Sequence, residues 1–256
     1  MTNKQRLDLI EKFIRENKYA DLQTLASKFD ISLSTVRRAL NDLETANVVR
    51  RHHGGASLVD MEADSPGGYD FITQDDRQVD EKHAIADTVA AMIEPGMTVL
   101  MDGGTTTYAI SRRLVSKRIV VITNSLPIAA LFGDIGTSET IVTGGTVYSR
   151  LGILYGPTCE QSVASVHADI AILGAAGYTE EGVWNNNAFI ISTQAQMRRS
   201  SDRAFFVLDS SKAGKRNLHL ASPFTDKFAV CTNKRPEESI ATAMKEANCE
   251  LILPTS

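Results

Sequence analysis

Apolar residues repeat with a helical period through the opening of the chain and then gather into short blocks; that change of rhythm divides the sequence in two. Leu7, Ile10, Phe13 and Ile14 lie at i, i+3, i+6 and i+7 and predict a first amphipathic helix. Asp21 supplies an N-cap for a second, which buries Leu22, Leu25, Ala26 and Phe29. The turn DIS leads into a third, capped by Ser32 or Ser34, with Val36, Ala39, Leu40 and Leu43 inward. Three short helices with a tight second turn predict a helix-turn-helix. With the inward face fixed, Ser34, Thr35, Arg37, Arg38 and Asn41 must point outward. Hydroxyl, guanidinium and amide groups on one face suit phosphates and base edges in a major groove; a solvated helix face carrying two arginines has the same pattern.

The next stretch, NVVRRHHGGAS, is β-prone and ends at Gly54-Gly55. It reads as a β-wing that lays Arg50, Arg51, His52 and His53 along a nucleic-acid backbone. A metal pair at His52 and His53 has no third ligand nearby in sequence. Residues 58–75, LVDMEADSPGGYDFITQD, lack either period and read as an acidic linker.

From Glu81 the rhythm is regular. EKHAIADTVAAMI is amphipathic through Ile85, Val89 and Ile93, and Pro95-Gly96 ends it. Apolar runs at 98–101, 119–123, 140–143, 169–175, 204–209, 228–232 and 250–253 then alternate with helix-length segments such as 105–116, 158–166, 188–201 and 236–247. Such alternation predicts a mostly parallel, Rossmann-like α/β sheet covered by helices on both faces. Ligands of these sheets collect at the carboxyl ends of the strands. The tips here are Asp102-Gly-Gly-Thr-Thr-Thr107, Asn124-Ser125, Gly144-Gly145, GAAG at 174–177 and Asp209-Ser-Ser-Lys212. Turns are rich in these residues in any protein, but five such tips in one sheet point to a site.

The turn at 102–107 is suited to an anion. Gly103 and Gly104 leave the backbone open, the next helix offers its N–H groups and positive dipole end, and Thr105, Thr106 and Thr107 add hydroxyls. Neither G-x-x-x-x-G-K-[ST] nor G-x-G-x-x-G occurs, so a monophosphate ester fits better than a nucleotide, with Lys212 neutralising it from another strand end. In GVWNNNAF, Trp184 is offered for stacking on a sugar face and Asn185, Asn186 and Asn187 for its hydroxyls; the alternative is an Asn-rich turn with Asn187 capping the helix at 188.

Charge sharpens this division. Residues 1–53 hold 10 Lys/Arg against 7 Asp/Glu, so the net −4 conceals a +3 head on a −7 body, and only the head suits a polyanion. Cys159, Cys231 and Cys249 are too scattered for a metal site and are expected to be free, buried thiols. No apolar run approaches a membrane span and the first residues carry no secretory pattern, so a cytoplasmic location without membrane association is expected.

The segment LQTLASKFDISLSTVRRALNDLETANVVRRHHGGAS resembles the DeoR-type winged helix-turn-helix of bacterial sugar-metabolism regulators, through Ser32, Thr35, Val36, Arg37, Arg38, Leu40, Leu43, Arg51, Gly54 and Gly55. It departs from the pattern at Ala39, where the family usually has Asp, and at Asn47, where it has Gly. The body is similar to the DeoR effector domain through Lys82, DGGTTT at 102–107, TNS at 123–125, Gly144-Gly145, Gly156, GAAG at 174–177 and DSSK at 209–212. The resemblance implies a winged helix-turn-helix domain (1–57), a linker (58–75) and a ribose-5-phosphate-isomerase-like effector and oligomerisation domain (76–256). It further implies a DNA-binding regulator, a repressor of a carbohydrate operon, that recognises operator DNA as a homodimer or homotetramer and answers to a phosphorylated sugar without a cofactor or metal. DNA contacts are expected from Ser32, Ser34, Thr35, Arg37, Arg38, Asn41 and Arg50 to His53. Effector contacts are expected from Asp102 to Thr107, Asn124, Ser125, Gly144, Gly145 and Lys212, with sugar contacts from Lys82, Trp184, Asn185, Asn186 and Asp209. The competing reading is a sugar-phosphate isomerase or deaminase with Asp102 or Asp209 as its proton-transfer carboxylate. A purely structural interaction protein leaves both the basic helix and the strand-end cluster unexplained.

Overall fold

The computed structural model describes residues 3–17, 19–46, 48–52, 55–58 and 78–254. They divide into two compact units, one on each side of residues 59–77. Nearly all of the expected linker, together with Asn47, His53 and Gly54, lies outside the described residues.

In the first unit the three expected helices form as α1 (Asn3–Asn17), α2 (Leu22–Phe29) and α3 (Leu33–Thr45). Asp21 caps α2 by accepting from the Thr24 amide, and Ser32, of the two candidate serines, caps α3 by accepting from the Thr35 amide. Between α2 and α3, Asp30 turns the chain in the left-handed region at φ 48°, with its N–H bonded to the Ala26 carbonyl. Strands β1 (Tyr19–Asp21), β2 (Val49–His52) and β3 (Gly55–Leu58) pair antiparallel in the order β1-β3-β2. The wing hairpin was foreseen; its third strand, three residues between two helices, is too short to show a period of its own. Ile10, Ile14, Leu25, Val36, Ala39, Leu40, Leu43 and Val49 form the core, so Ala39 lies inward as its spacing predicts.

The second unit is built on a seven-stranded sheet, β15-β14-β12-β9-β4-β5-β6, parallel throughout. Its strands, β4 (Thr98–Met101), β5 (Val120–Thr123), β6 (Glu139–Val142), β9 (Ala168–Gly174), β12 (Ser201–Val207), β14 (Ala229–Cys231) and β15 (Glu250–Ile252), are the seven apolar runs. Alternate side chains feed two cores. Val99, Met101, Val121, Ile172 and Phe205 face α4 (Val79–Ala91), α5 (Thr105–Leu114) and α6 (Leu126–Ile135). Leu100, Ile122, Leu173, Phe206 and Val230 face Val163 of α7 (Pro157–Ala164), Met197 of α8 (Ala188–Arg199) and Met244 of α9 (Glu238–Glu246). The helices therefore cover both faces, as a parallel sheet requires.

From β4 the chain steps outward through β5 to β6, then returns to β9 and steps the other way through β12 and β14 to β15. β4 and β9 therefore flank the reversal of strand order, where a crevice opens beyond their carboxyl ends. Two antiparallel additions missed by the sequence reading surround that end: the hairpin β7 (Thr146–Tyr148) with β8 (Ile153–Tyr155), and the sheet β10 (Gly177–Thr179), β11 (Gly182–Asn185) and β13 (His219–Pro223). The cysteines are free and buried, and burial pushes the Cys231 and Cys249 thiols up to about 12. Among the described residues no helix is long and apolar enough to cross a membrane, and no cluster of His, Cys, Asp and Glu could hold a metal ion.

Candidate functional site

Each unit carries a surface of its own. On α3 of the first, Ser34, Arg37, Arg38 and Asn41 are exposed and Thr35 is half-exposed. The Ser32 hydroxyl is tied to those of Ser34, at 2.9 Å, and Thr35, at 2.8 Å, so part of the expected contact set first builds the helix start. The arginines project from the following turn on the side opposite Val36, Ala39 and Leu40. The backbone of Arg50, Arg51 and His52 runs along β2, while His53 falls outside the described residues.

In the second unit a cavity of about 580 Å³ opens at the β4/β9 crevice. The β4 tip contributes Asp102 to Thr107, the β9 tip Gly174 to Ala176, and the β12 tip Asp209, Ser211 and Lys212. Lys82 enters from α4, Lys215 from the loop after Lys212, and Asn185, Asn186 and Asn187 from the turn between β11 and α8.

The turn at 102–107 is tightly fitted. A Cβ on Gly103 would sit 2.1 Å from Ile153 Cγ2, and the Gly174 Cα lies so close to the turn that its own Cβ would be 3.3 Å from the Gly103 carbonyl oxygen. Gly104 occupies the N-cap of α5 at φ 143°, a conformation other residues rarely adopt, and makes no side-chain cap. Thr107 returns its hydroxyl to the Gly104 carbonyl at 2.8 Å. The first turn of α5 thus faces the cavity with the positive end of its dipole, and Lys82, Lys212 and Lys215 line the same space. Asp102 is 2% exposed. Its Oδ1 accepts from Asn124 Nδ2 at 3.1 Å and its Oδ2 from Gln194 Nε2 at 2.6 Å. Burial raises its pKa, and the bonds from Gln194, Asn124 and the backbone of Gly103 and Gly174 oppose that rise. Asp209 accepts from the Ser211 amide at 2.9 Å and caps the short 3-10 turn Ser210–Lys212.

Of the expected effector residues, Asp102 to Thr107, Lys212, Lys82, Asn185, Asn186 and Asp209 line the cavity; Asn124, Ser125, Gly144, Gly145 and Trp184 do not. Asn124 stands behind Asp102 and also donates to the Leu154 carbonyl at 3.2 Å. Ser125 caps α6, and Gly145 passes so close to Tyr155 that a Cβ would lie 2.6 Å from its carbonyl oxygen. The stacking role for Trp184 needs correction: its indole N–H donates to Thr179 Oγ1 at 2.9 Å, and Arg216 lies over the ring at 5.1 Å. Asn187 holds the N-cap position of α8 without a side-chain cap bond and lines the cavity instead. Gln78, Leu151, Ile190, Gln194 and Lys215 were missed. Only Gln194 carried a signal, a long polar side chain at a position that Ile190 and Met197 place on the buried face of α8.

Residues 6–62 match the model of the DeoR-like helix-turn-helix domain, and residues 77–234 that of the DeoR C terminal sensor domain. The chain is 28% identical to the glycerol-3-phosphate regulon repressor of Escherichia coli (strain K12) over 255 residues, covering 99% of this chain and 100% of the relative. It is 30% identical to the transcriptional repressor AccR of Agrobacterium fabrum over 238 residues, covering 91% of this chain and 90% of the relative. Among solved structures, ribose 5-phosphate isomerase A from Methanocaldococcus jannaschii aligns with a TM-score of 0.39 at 14% identity, over 53% of this chain and 54% of that one.

Proposed function

Because the chain belongs to the DeoR family of transcriptional regulators, we propose that it represses a carbohydrate operon by binding operator DNA through α3 and the wing, and that a phosphorylated sugar in the β4/β9 cavity controls that binding. One observation carries the sensing half of this reading. The open first turn of α5 and three lysines line a single cavity together with a run of asparagines. Ser32, Ser34, Thr35, Arg37, Arg38, Asn41 and Arg50 to His53 are the proposed DNA contacts. Domains at 1–57 and 76–256, joined by 58–75, are part of the same reading, as is a homodimer or homotetramer that pairs two recognition helices on repeated half-sites. The protein works in the cytoplasm, without cofactor, metal or membrane.

The chain senses its ligand and does not convert it. Both Asp102 oxygens accept from amides in a buried setting, and Asp209 Oδ1 caps the turn that carries Lys212, which supports structural roles for these carboxylates over proton transfer. Incubating the protein with inorganic phosphate and a panel of triose, pentose and hexose phosphates tests this. The expected result is a raised melting temperature with one or more esters, corresponding to about 2.7 kcal/mol at a hundredfold excess over Kd, with no turnover. Turnover at enzymatic rates would replace the sensor with an isomerase or deaminase.

A further inference from the structure

Gln194 lies on α8 with its side chain in the cavity wall, 2% exposed. Its Nε2 donates to Asp102 Oδ2 and to the Gly174 carbonyl, both at 2.6 Å, and its Oε1 accepts from Asn185 Nδ2 at 2.9 Å. A backbone carbonyl can only accept, so Gly174 fixes the amide with its nitrogen toward the β4 and β9 tips and its oxygen toward Asn185. An amide oxygen also can only accept; Asn185 must therefore turn its nitrogen to Gln194, which leaves its own carbonyl oxygen as the group it can offer to the cavity it lines. Donation in this relay runs one way, from Asn185 through Gln194 to Asp102 and the Gly174 carbonyl.

We infer that Gln194 is a positioning residue that ties the turn at 102–107 to Asn185 in the lining of the same cavity, and that Asn185, oriented by it, accepts a hydrogen bond from a hydroxyl on the ligand's carbon skeleton. The inference rests on the sugar-phosphate reading of the cavity and narrows it. The ligand presents a hydroxyl donor at Asn185, and a phosphorylated acid with a carboxylate at that point would meet acceptor with acceptor. Truncating Gln194 leaves Asn185 free to turn, so the loss falls on the ester and much less on phosphate itself.

Calorimetric titration of the full chain and of Gln194→Leu and Gln194→Glu with inorganic phosphate, glycerol 3-phosphate, D-ribose 5-phosphate and D-fructose 6-phosphate tests this. The quantity read is the preference for the tightest ester over inorganic phosphate. In Gln194→Leu that preference is expected to fall about tenfold or more, because a buried polar group loses its partner. Gln194→Glu is expected to keep the preference at pH 5, where one proton is shared with Asp102 and still donates to the β4 tip, and to lose it at pH 8. Lys82, Asp209, Lys212 and Lys215 line the same cavity, and the parent chain run at both pH values accounts for their contribution. Equal losses for phosphate and ester in Gln194→Leu, or a Gln194→Glu profile that parallels the parent, would overturn the assignment. If Gln194→Leu does not fold, Asn185→Ala carries the same comparison: a collapsed preference supports the relay and an intact one overturns it. A parent chain that binds none of the four probes overturns the functional reading, and the relay with it; failure in the variants alone overturns only the relay.

Discussion

The head presents its candidate chemistry on the outside of a helix, whereas the body encloses its own at the tips of strands. Arg37 and Arg38 are exposed, and their positions follow from 3.6-residue geometry once Val36, Ala39 and Leu40 are known to be inward. Asp102, Thr105, Thr106, Asn185 and Gln194 are all buried, come from three separate segments, and meet only because the strand order reverses between β4 and β9. A surface that reads a large polyanion can be a single helix face. A cavity that must recognise a small ester on several sides needs the whole sheet, and its polar groups need partners even when no ligand is bound.

The two regions should therefore fail in different ways. The largest effect is expected from Asp102→Ala, which removes the shared acceptor of two buried amides and should cost the body about 3 kcal/mol, read as a lower urea midpoint. The pH dependence has a definite sign. Burial raises the Asp102 pKa above its unfolded value, so its contribution is full below that unfolded value and is lost as pH rises through the raised one. Asp102→Ala should flatten that part of the stability profile.

Arg37→Ala should leave the body's melting unchanged and weaken operator binding by about 2 kcal/mol, roughly thirtyfold, in a fluorescence-anisotropy titration. Equal operator affinity for variant and parent would remove α3 from the groove. Gly103→Ala pushes a methyl group into Ile153 and should destabilise the body by about 2 kcal/mol while closing the phosphate turn to inorganic phosphate in calorimetry. The smallest effect is expected from Ser32→Ala, about 1 kcal/mol from the loss of the α3 cap, seen as a shift confined to the head's unfolding transition.

The same contrast decides how much was legible in the sequence. The interior strands of the parallel sheet could be read as apolar runs because both of their faces are covered, the edge strand β6 is apolar although Ile141 and Val142 stay exposed, and the three head helices each have one apolar stripe. The placement of DGGTTT in the cavity lining was legible from chemistry, since glycines before a helix start have a physical meaning on any sheet. Trp184 was misplaced because a large aromatic beside asparagines suggests a ligand platform, whereas its N–H found Thr179 across the β10–β11 turn. Lys215 and Gln194 were missed because the first sits in a loop without a period and the second acquires its role from Gly174 and Asp102, 20 and 92 residues away in the chain.

The central claim is that occupancy of the β4/β9 cavity is communicated to DNA binding, and an anisotropy titration of a labelled operator tests it most directly. The parent chain and Thr106→Asp, which places a carboxylate where the ester's phosphate would lie, are each titrated with and without the sugar phosphate that stabilises the parent most. The account predicts at least a tenfold change in the parent's operator affinity, about 1.4 kcal/mol of coupling, and no change in the variant. An operator affinity in the parent that stays the same at saturating ester would contradict it.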